Sequence, residues 1–172
     1  MELDGISAIL PHRYPMLLVD RVTDVVPGAS LTAVKAVTAN EPWYAGADAR
    51  PGTDGHRYPP VLVVESWCQA AGLLAAWGQP ELRSSHVMLF GGITGIAFQG
   101  RVVPGDVLEH RVRMVRAVSD AAIFEGDTMV GSSPVLEVQR VIMALRPADT
   151  IAAASPRPVA TARVPGAGDG RR

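Results

Sequence analysis

Few residues in this chain are able to do acid–base chemistry, and one carboxylate stands out by its surroundings. Glu65 lies in the most apolar stretch of the sequence, residues 61–78, and Gln69 follows it four residues later. On a helix, that spacing puts both side chains on one face, one turn apart. A carboxylate among apolar side chains costs free energy unless it is paired or protonated. A carboxyl group that keeps its proton near neutral pH is what a general acid requires.

A second interpretation of Glu65 follows from its position near the start of the predicted helix. The positive end of the helix dipole stabilises an exposed carboxylate in the first turn, without any catalytic role. Composition favours neither interpretation over the other.

Histidine and cysteine supply the remaining candidates, because the chain has four histidines and one cysteine. His56 lies in a loop between Gly and Arg-Tyr-Pro, and it is either a catalytic imidazole or an exposed loop residue. We interpret His12, His86 and His110 as structural or surface residues, since no metal-ligand spacing connects them. Cys68, inside the apolar stretch, is predicted to be a small core residue.

Length, composition and charge exclude several classes of protein. The 172 residues suit one domain, and 48% hydrophobic with 19% charged residues is typical of a globular chain. A net charge of −1 gives no basic field for nucleic acid or a membrane. A single cysteine forms no internal disulfide, and the N-terminus lacks a signal-peptide pattern. We therefore expect a cytoplasmic protein that needs no metal or cofactor and binds neither nucleic acid nor a membrane.

The first part of the chain predicts a short helix and a hairpin. Asp4 is expected to cap the helix, which Pro11 ends. Residues 17–26 and 31–38 are rich in Val, Leu and Thr and flank a Pro-Gly-Ala-Ser turn, so they are predicted to pair as strands.

The rest of the domain, which we bound at residues 1–146, predicts one long helix followed by strands. Residues 46–60 are predicted to be a loop, and residues 61–77 a helix that is apolar nearly all round and must be wrapped. The predicted strands are residues 86–99, 106–118, 121–130 and 134–146. This order indicates an α+β domain in which a helix packs on a curved antiparallel sheet. Residues 147–172, rich in Ala, Pro and Gly with several Arg, are predicted to be disordered.

Four segments resemble a known family: residues 9–15 (ILPHRYP), 40–46 (NEPWYAG), 61–72 (VLVVESWCQAAG) and 101–106 (RVVPGD). In this order they resemble the hot-dog-fold dehydratases that act on 3-hydroxyacyl-acyl carrier protein in fatty-acid and polyketide synthesis. The resemblance implies a central helix wrapped by an antiparallel sheet, and dimers whose active sites lie at the subunit interface.

The resemblance also implies an elimination of water and roles for particular residues. The family uses a histidine from one subunit and a carboxylate on the central helix of the other. Glu65 matches the carboxylate, and Gln69 matches a glutamine one turn later. The candidate substrate-binding residues are Gln69, Val61 and Pro60, and the implied partner is an acyl carrier protein.

Two positions depart from the family pattern. Ala47 stands where the family has its histidine, and Pro60 stands where it has a glycine whose N–H faces the thioester oxygen. Proline has no N–H to donate. Three hypotheses follow. Glu65 works with a histidine of a related partner chain in a heterodimer, or His56 returns an imidazole to the site of a homodimer, or the chain is a non-catalytic acyl-binding or assembly-stabilising module.

Overall fold

A long helix and an antiparallel sheet dominate the computed structural model, which describes residues 1–45, 54–77, 86–118, 120–147 and 149. The elements follow the chain as α1 (Leu3–Ile9), β1 (Arg21–Val26), β2 (Ser30–Ala36), α2 (Pro60–Ala75), β3 (His86–Phe98), β4 (Val107–Val118), β5 (Ala121–Val130) and β6 (Ser133–Pro147). Short 3-10 turns span Pro42–Tyr44 and Asp54–His56. The predicted α+β architecture is confirmed.

The sheet has the strand order β1-β2-β4-β5-β6-β3, with every neighbouring pair antiparallel. Helix α2 packs on β2, β4, β5 and β6 and is buried along most of its length, as its apolar sequence predicts. Trp67 and Leu73 of α2 are fully buried together with Leu108, Phe124 and Leu136 of the sheet. Each such side chain contributes roughly 1.5–3 kcal/mol of burial free energy, so this layer holds the helix in place. No helix among the described residues is both long and apolar enough to span a membrane.

Two local predictions in the first part of the chain are corrected. Asp4 does not cap α1: Glu2 occupies the N-cap position and makes no side-chain capping bond, and Asp4 lies within the first turn. Strand β1 begins at Arg21 rather than at residue 17, because the preceding segment turns toward α2, where the N–H of Leu18 bonds to a helix side chain.

Gly126 allows β5 to lie close to both β4 and the central helix. It has a φ of +152° at a bulge in β5, and a Cβ there would lie 2.0 Å from the carbonyl oxygen of Arg111. The indole N–H of Trp67 donates to that same carbonyl at 3.2 Å. The absence of a side chain at residue 126 therefore lets β5 and the Trp67 side chain of α2 both approach the Arg111 carbonyl oxygen of β4.

Strand β3 forms one edge of the sheet, paired with β6 on one side only. Apolar side chains are exposed along it, including those of Val87, Leu89, Phe90 and Phe98. Two predicted segments lie in part outside the described residues. In the loop predicted at residues 46–60, residues 46–53 are not described, and residues 54–60 contain the second 3-10 turn and the first residue of α2. In the predicted disordered tail, residues 147–172, only 147 and 149 are described.

Candidate active site

Glu65 is held on the second turn of α2 by its neighbour one turn later. The Gln69 Nε2 donates to Glu65 Oε1 at 2.9 Å and to the carbonyl oxygen of Met16 at 2.7 Å, while Gln69 Oε1 accepts from the N–H of Leu18 at 2.9 Å. Gln69 is only 2% exposed, whereas the Glu65 side chain is 33% exposed. The side-chain amide of Gln69 thus links the accessible carboxylate of Glu65 to the segment before β1 through hydrogen bonds.

An imidazole of the same chain lies beside this carboxylate. His12 Nε2 is 3.4 Å from Glu65 Oε1, and the His12 side chain is 34% exposed. The guanidinium of Arg13 donates to the carbonyl oxygens of Leu10 and His12 at 2.8 and 2.6 Å, which fixes the turn after α1. The sequence pattern indicated a structural role for His12. Its proximity to Glu65 depends on a contact between residues more than fifty positions apart, for which the sequence holds no local signal.

A cavity of about 550 Å³ opens beside the pair. Its wall is mainly apolar and comes from the α1 turn, α2, β3 and β6, and its polar lining residues are Ser7, His12, Arg13, Glu65, Gln69 and His86. Gly72 lines the cavity without a side chain, and a Cβ there would be in ordinary van der Waals contact with the Met88 sulfur at 3.5 Å. A pocket with apolar walls and a few convergent polar groups is the usual form of a small-molecule site.

His56 lies apart from this cluster in the single chain. It is exposed at the end of a 3-10 turn, and its carbonyl oxygen accepts a bond of 3.4 Å from the hydroxyl of Tyr44. Among the described contacts, no ion pair joins His56 to Glu65 of the same chain. The hypothesis about His56 concerned a neighbouring subunit's Glu65, so it stays a prediction. Ala47 lies outside the described residues.

Pro60 and Val61 form the start of α2 and do not line the cavity. Proline at this position favours helix initiation, because its φ is preset and its missing N–H would have no partner in the helix. The side chain of Val61 is 69% exposed. Both substrate-binding assignments stay predictions.

A second cluster has residue types used in catalysis but no access to a substrate. The ring of His110 lies between two hydroxyl groups, with Nε2 2.7 Å from Ser66 Oγ and Nδ1 2.9 Å from Thr128 Oγ1, and all three residues are fully buried. Burial, with a smaller effect of the Lys35 charge, lowers the pKa of His110 to about 3. The imidazole is therefore a neutral group, bonded to hydroxyl groups of α2 and β5.

The Cys68 thiol and possible metal ligands are the other groups that could react or bind. Burial, followed by the charge of Glu65, raises the pKa of the Cys68 thiol, so the thiol stays protonated. Within the described parts of the chain, no group of three or more His, Cys, Asp or Glu is arranged to hold a metal ion.

A sequence model of the FabA-like domain matches residues 10–139, a span that includes His12, Glu65 and Gln69. The chain belongs to the FabA-like domain family. The resemblance drawn from the four sequence segments is thereby confirmed.

Two relatives, both named as the same dehydratase, are similar to this chain over most of its length. The 3-hydroxyacyl-[acyl-carrier-protein] dehydratase FabZ of Shewanella woodyi is 39% identical over 131 residues, which cover 76% of this chain and 83% of the relative. The FabZ of Halorhodospira halophila is 40% identical over 125 residues, which cover 72% of this chain and 79% of the relative.

Solved structures confirm the hot-dog fold. A chain of the dehydratase heterocomplex ApeI:P from Xenorhabdus doucetiae matches with a TM-score of 0.70 at 19% identity, over 87% of this chain and 95% of that one. A mutant thioesterase from Pseudomonas aeruginosa matches with a TM-score of 0.59 at 13% identity, over 86% and 95% of the two chains. The fold therefore hosts more than one reaction, and the function has to be argued from the site.

Proposed function

We propose that this chain is a subunit of an enzyme that removes water from a 3-hydroxyacyl thioester on an acyl carrier protein, in fatty-acid or polyketide synthesis. The observation that carries the proposal is the carboxylate of Glu65, accessible at a cavity with apolar walls in a member of the FabA-like family. The apolar wall suits an acyl chain, and the carboxyl group suits its C3 hydroxyl. Relatives named as dehydratases of such substrates support the assignment.

The reaction needs a base and an acid on one substrate. An imidazole removes the C2 proton, the electron pair left on C2 forms the C2–C3 double bond, and the C3–O bond breaks. Glu65 gives its proton to the departing hydroxyl, which leaves as water. A proton returned from the imidazolium to the Glu65 carboxylate restores both groups, so the products are one enoyl thioester and one water.

The base in this proposal comes from a related partner chain, because Ala47 replaces the histidine that the family resemblance implies. The exposed apolar edge of β3 offers a second hot-dog chain a place to add its own strand. A chain of this fold occurs in a dehydratase heterocomplex, so the fold is compatible with unlike partners. A homodimer in which His56 reaches the neighbouring Glu65 is the alternative arrangement.

Stabilisation of the thioester oxygen is the least conventional part of the proposed site. Pro60 has no N–H, so the remaining backbone donor at the start of α2 is the N–H of Val61, for which the first turn provides no helical acceptor. The positive end of the helix dipole favours the developing negative charge there. Gln69 contributes to the proposed site by holding the Glu65 carboxylate in place.

The proposal also places the protein in the cytoplasm, where the free thiol of Cys68 stays reduced.

The test is a dehydration assay with a 3-hydroxyacyl-acyl carrier protein, run on the purified chain alone and on the chain mixed with related dehydratase subunits. We expect turnover only in the mixture, and a fall in kcat of about 10²- to 10⁴-fold for Glu65→Gln, which removes the acid but keeps the shape. Glu137→Gln, on the exposed face of β6, is the matched control and should leave the rate unchanged.

Two other results of this assay would favour the alternative hypotheses. Full turnover by the chain alone, lost in His56→Ala, contradicts the heterodimer and favours the His56 homodimer. Dehydration that is indifferent to Glu65→Gln contradicts the enzymatic proposal altogether and favours a non-catalytic acyl-binding or assembly module.

A further inference from the structure

Two nitrogen atoms approach the same oxygen of the Glu65 carboxylate. Gln69 Nε2 donates to Oε1 at 2.9 Å, and His12 Nε2 lies 3.4 Å from the same Oε1. No hydrogen bond to Oε2 is found among the described residues. The two oxygens therefore differ: Oε1 faces the protein nitrogens, and Oε2 is left as the oxygen able to carry an exchangeable proton.

The surroundings of the imidazole indicate which nitrogen carries its hydrogen. His12 Nδ1 is buried and has no hydrogen-bond partner among the described residues. A buried N–H without an acceptor is rarer in proteins than a buried acceptor without a donor, whereas a hydrogen on Nε2 faces a carboxylate oxygen that can accept it. The favoured neutral tautomer thus has its hydrogen on Nε2, the atom that faces Glu65 Oε1.

The backbone around His12 is fixed on both sides of the residue. Before it, Arg13 Nη1 bonds to the carbonyl oxygen of Leu10, and after it, Gln69 bonds to the backbone of Met16 and Leu18. These hydrogen bonds fix the backbone that carries the His12 ring beside Glu65. A distance of 3.4 Å is long for a hydrogen bond, and such bonds often tighten only when a substrate closes the site.

We propose that His12 is a positioning residue for Glu65 in the proposed dehydratase site. Its Nε2–H, together with Gln69, orients the carboxyl group through Oε1, so that Oε2 presents the proton to the leaving hydroxyl. This inference rests on the proposed function and adds a residue to it. His12 acts through Glu65 and does not exchange a proton with the substrate.

Three substitutions separate this role from the alternatives. His12→Gln places an amide N–H at about the reach of Nε2, His12→Asn places one at about the reach of Nδ1, and His12→Ala removes the donor. In the assembly that turns over, we expect kcat to fall about 10- to 100-fold for Ala and Asn, with KM little changed, and to be largely restored for Gln. Denaturant unfolding of each variant separates lost positioning from lost folding.

A second measurement does not depend on activity. The ¹⁵N NMR shifts of the His12 ring report the tautomer, and we expect the neutral ring to carry its hydrogen on Nε2. A hydrogen on Nδ1 overturns the proposal, as does a wild-type kcat in His12→Ala. A Gln variant as inactive as the Ala variant also overturns it, in favour of direct proton transfer by the imidazole.

The activities of Glu65→Gln and His12→Ala distinguish a wrong proposed function from a wrong positioning role. If Glu65→Gln keeps full activity, the dehydratase assignment fails, while the NMR measurement still tests the His12–Glu65 contact. If Glu65→Gln is inactive and His12→Ala is not, only the positioning role fails.

Discussion

The buried imidazole of His110 makes the stability of the fold depend on pH in a calculable way. Burial lowers its pKa from 6.5 to about 3 in the folded chain, so between these values the unfolded state binds the proton and the folded state does not. The free energy of unfolding therefore falls as the pH falls, by about 1.4 kcal/mol per pH unit. The loss from this one group amounts to about 2 kcal/mol at pH 5 and on the order of 4–5 kcal/mol at pH 3.

Urea unfolding at pH 7.5 and pH 5.0 measures this contribution when the wild type is compared with His110→Gln. The variant keeps a polar side chain between Ser66 and Thr128 but has no group that titrates in this range. All other titrating groups are shared, so the difference between the two pH-dependent losses isolates the histidine. We expect the wild type to lose about 2 kcal/mol more than the variant over this interval.

Ser66→Ala is the matched control for the same experiment. It removes one hydrogen-bond partner but keeps the imidazole buried, and burial is the largest cause of the lowered pKa of His110. The control should therefore keep the pH dependence of the wild type. Equal losses in the wild type and His110→Gln would refute the reasoning, and would mean that water or a conformational opening reaches this ring in the folded protein.

Two further substitutions test the framework of the site. Gln69→Met keeps the side-chain volume but leaves the buried N–H of Leu18 without its acceptor, so urea unfolding should show a loss of about 1–3 kcal/mol in the free energy of unfolding. The substitution should also reduce kcat in the turnover assay, because it releases Glu65. A lower kcat with an unchanged free energy of unfolding would argue against the structural half of this prediction. Gly126→Ala places a Cβ 2.0 Å from a backbone carbonyl oxygen at positive φ. Thermal unfolding should therefore show that the free energy of unfolding falls by more than about 3 kcal/mol. A wild-type Tm would mean that β5 does not approach β4 so closely.

The elements that the sequence predicts are those whose signals are local. The uninterrupted apolar run of α2 indicates a helix that has to be wrapped, and the Pro-Gly turn indicates the β1–β2 hairpin. The four strands after the helix appear close to their expected bounds, because turn residues separate them. Each of these signals lies within about twenty residues of sequence, so no knowledge of the packing was needed.

The features that escaped prediction all depend on contacts between distant segments. His12 reaches Glu65, and Ser66 reaches His110, only after the chain before β1 and strand β4 have both packed on α2. The capping role expected of Asp4 failed for a different reason: the helix begins two residues earlier than the pattern indicated, with Glu2 at the N-cap. Motif spacing identified Glu65 and Gln69, but not the direction in which their hydrogen bonds run.

The bonds between Gln69 and the backbone before β1 have a consequence for which sequence changes the protein tolerates. The amide recognises the carbonyl oxygen of Met16 and the N–H of Leu18, not their side chains. Exchanges of one apolar residue for another leave those partners in place. The insertion or deletion of a single residue between them changes their spacing, so the amide can no longer bond to both at once, although connecting segments usually accept such length changes. Chain length in this segment, rather than residue identity, is therefore what the carboxylate depends on.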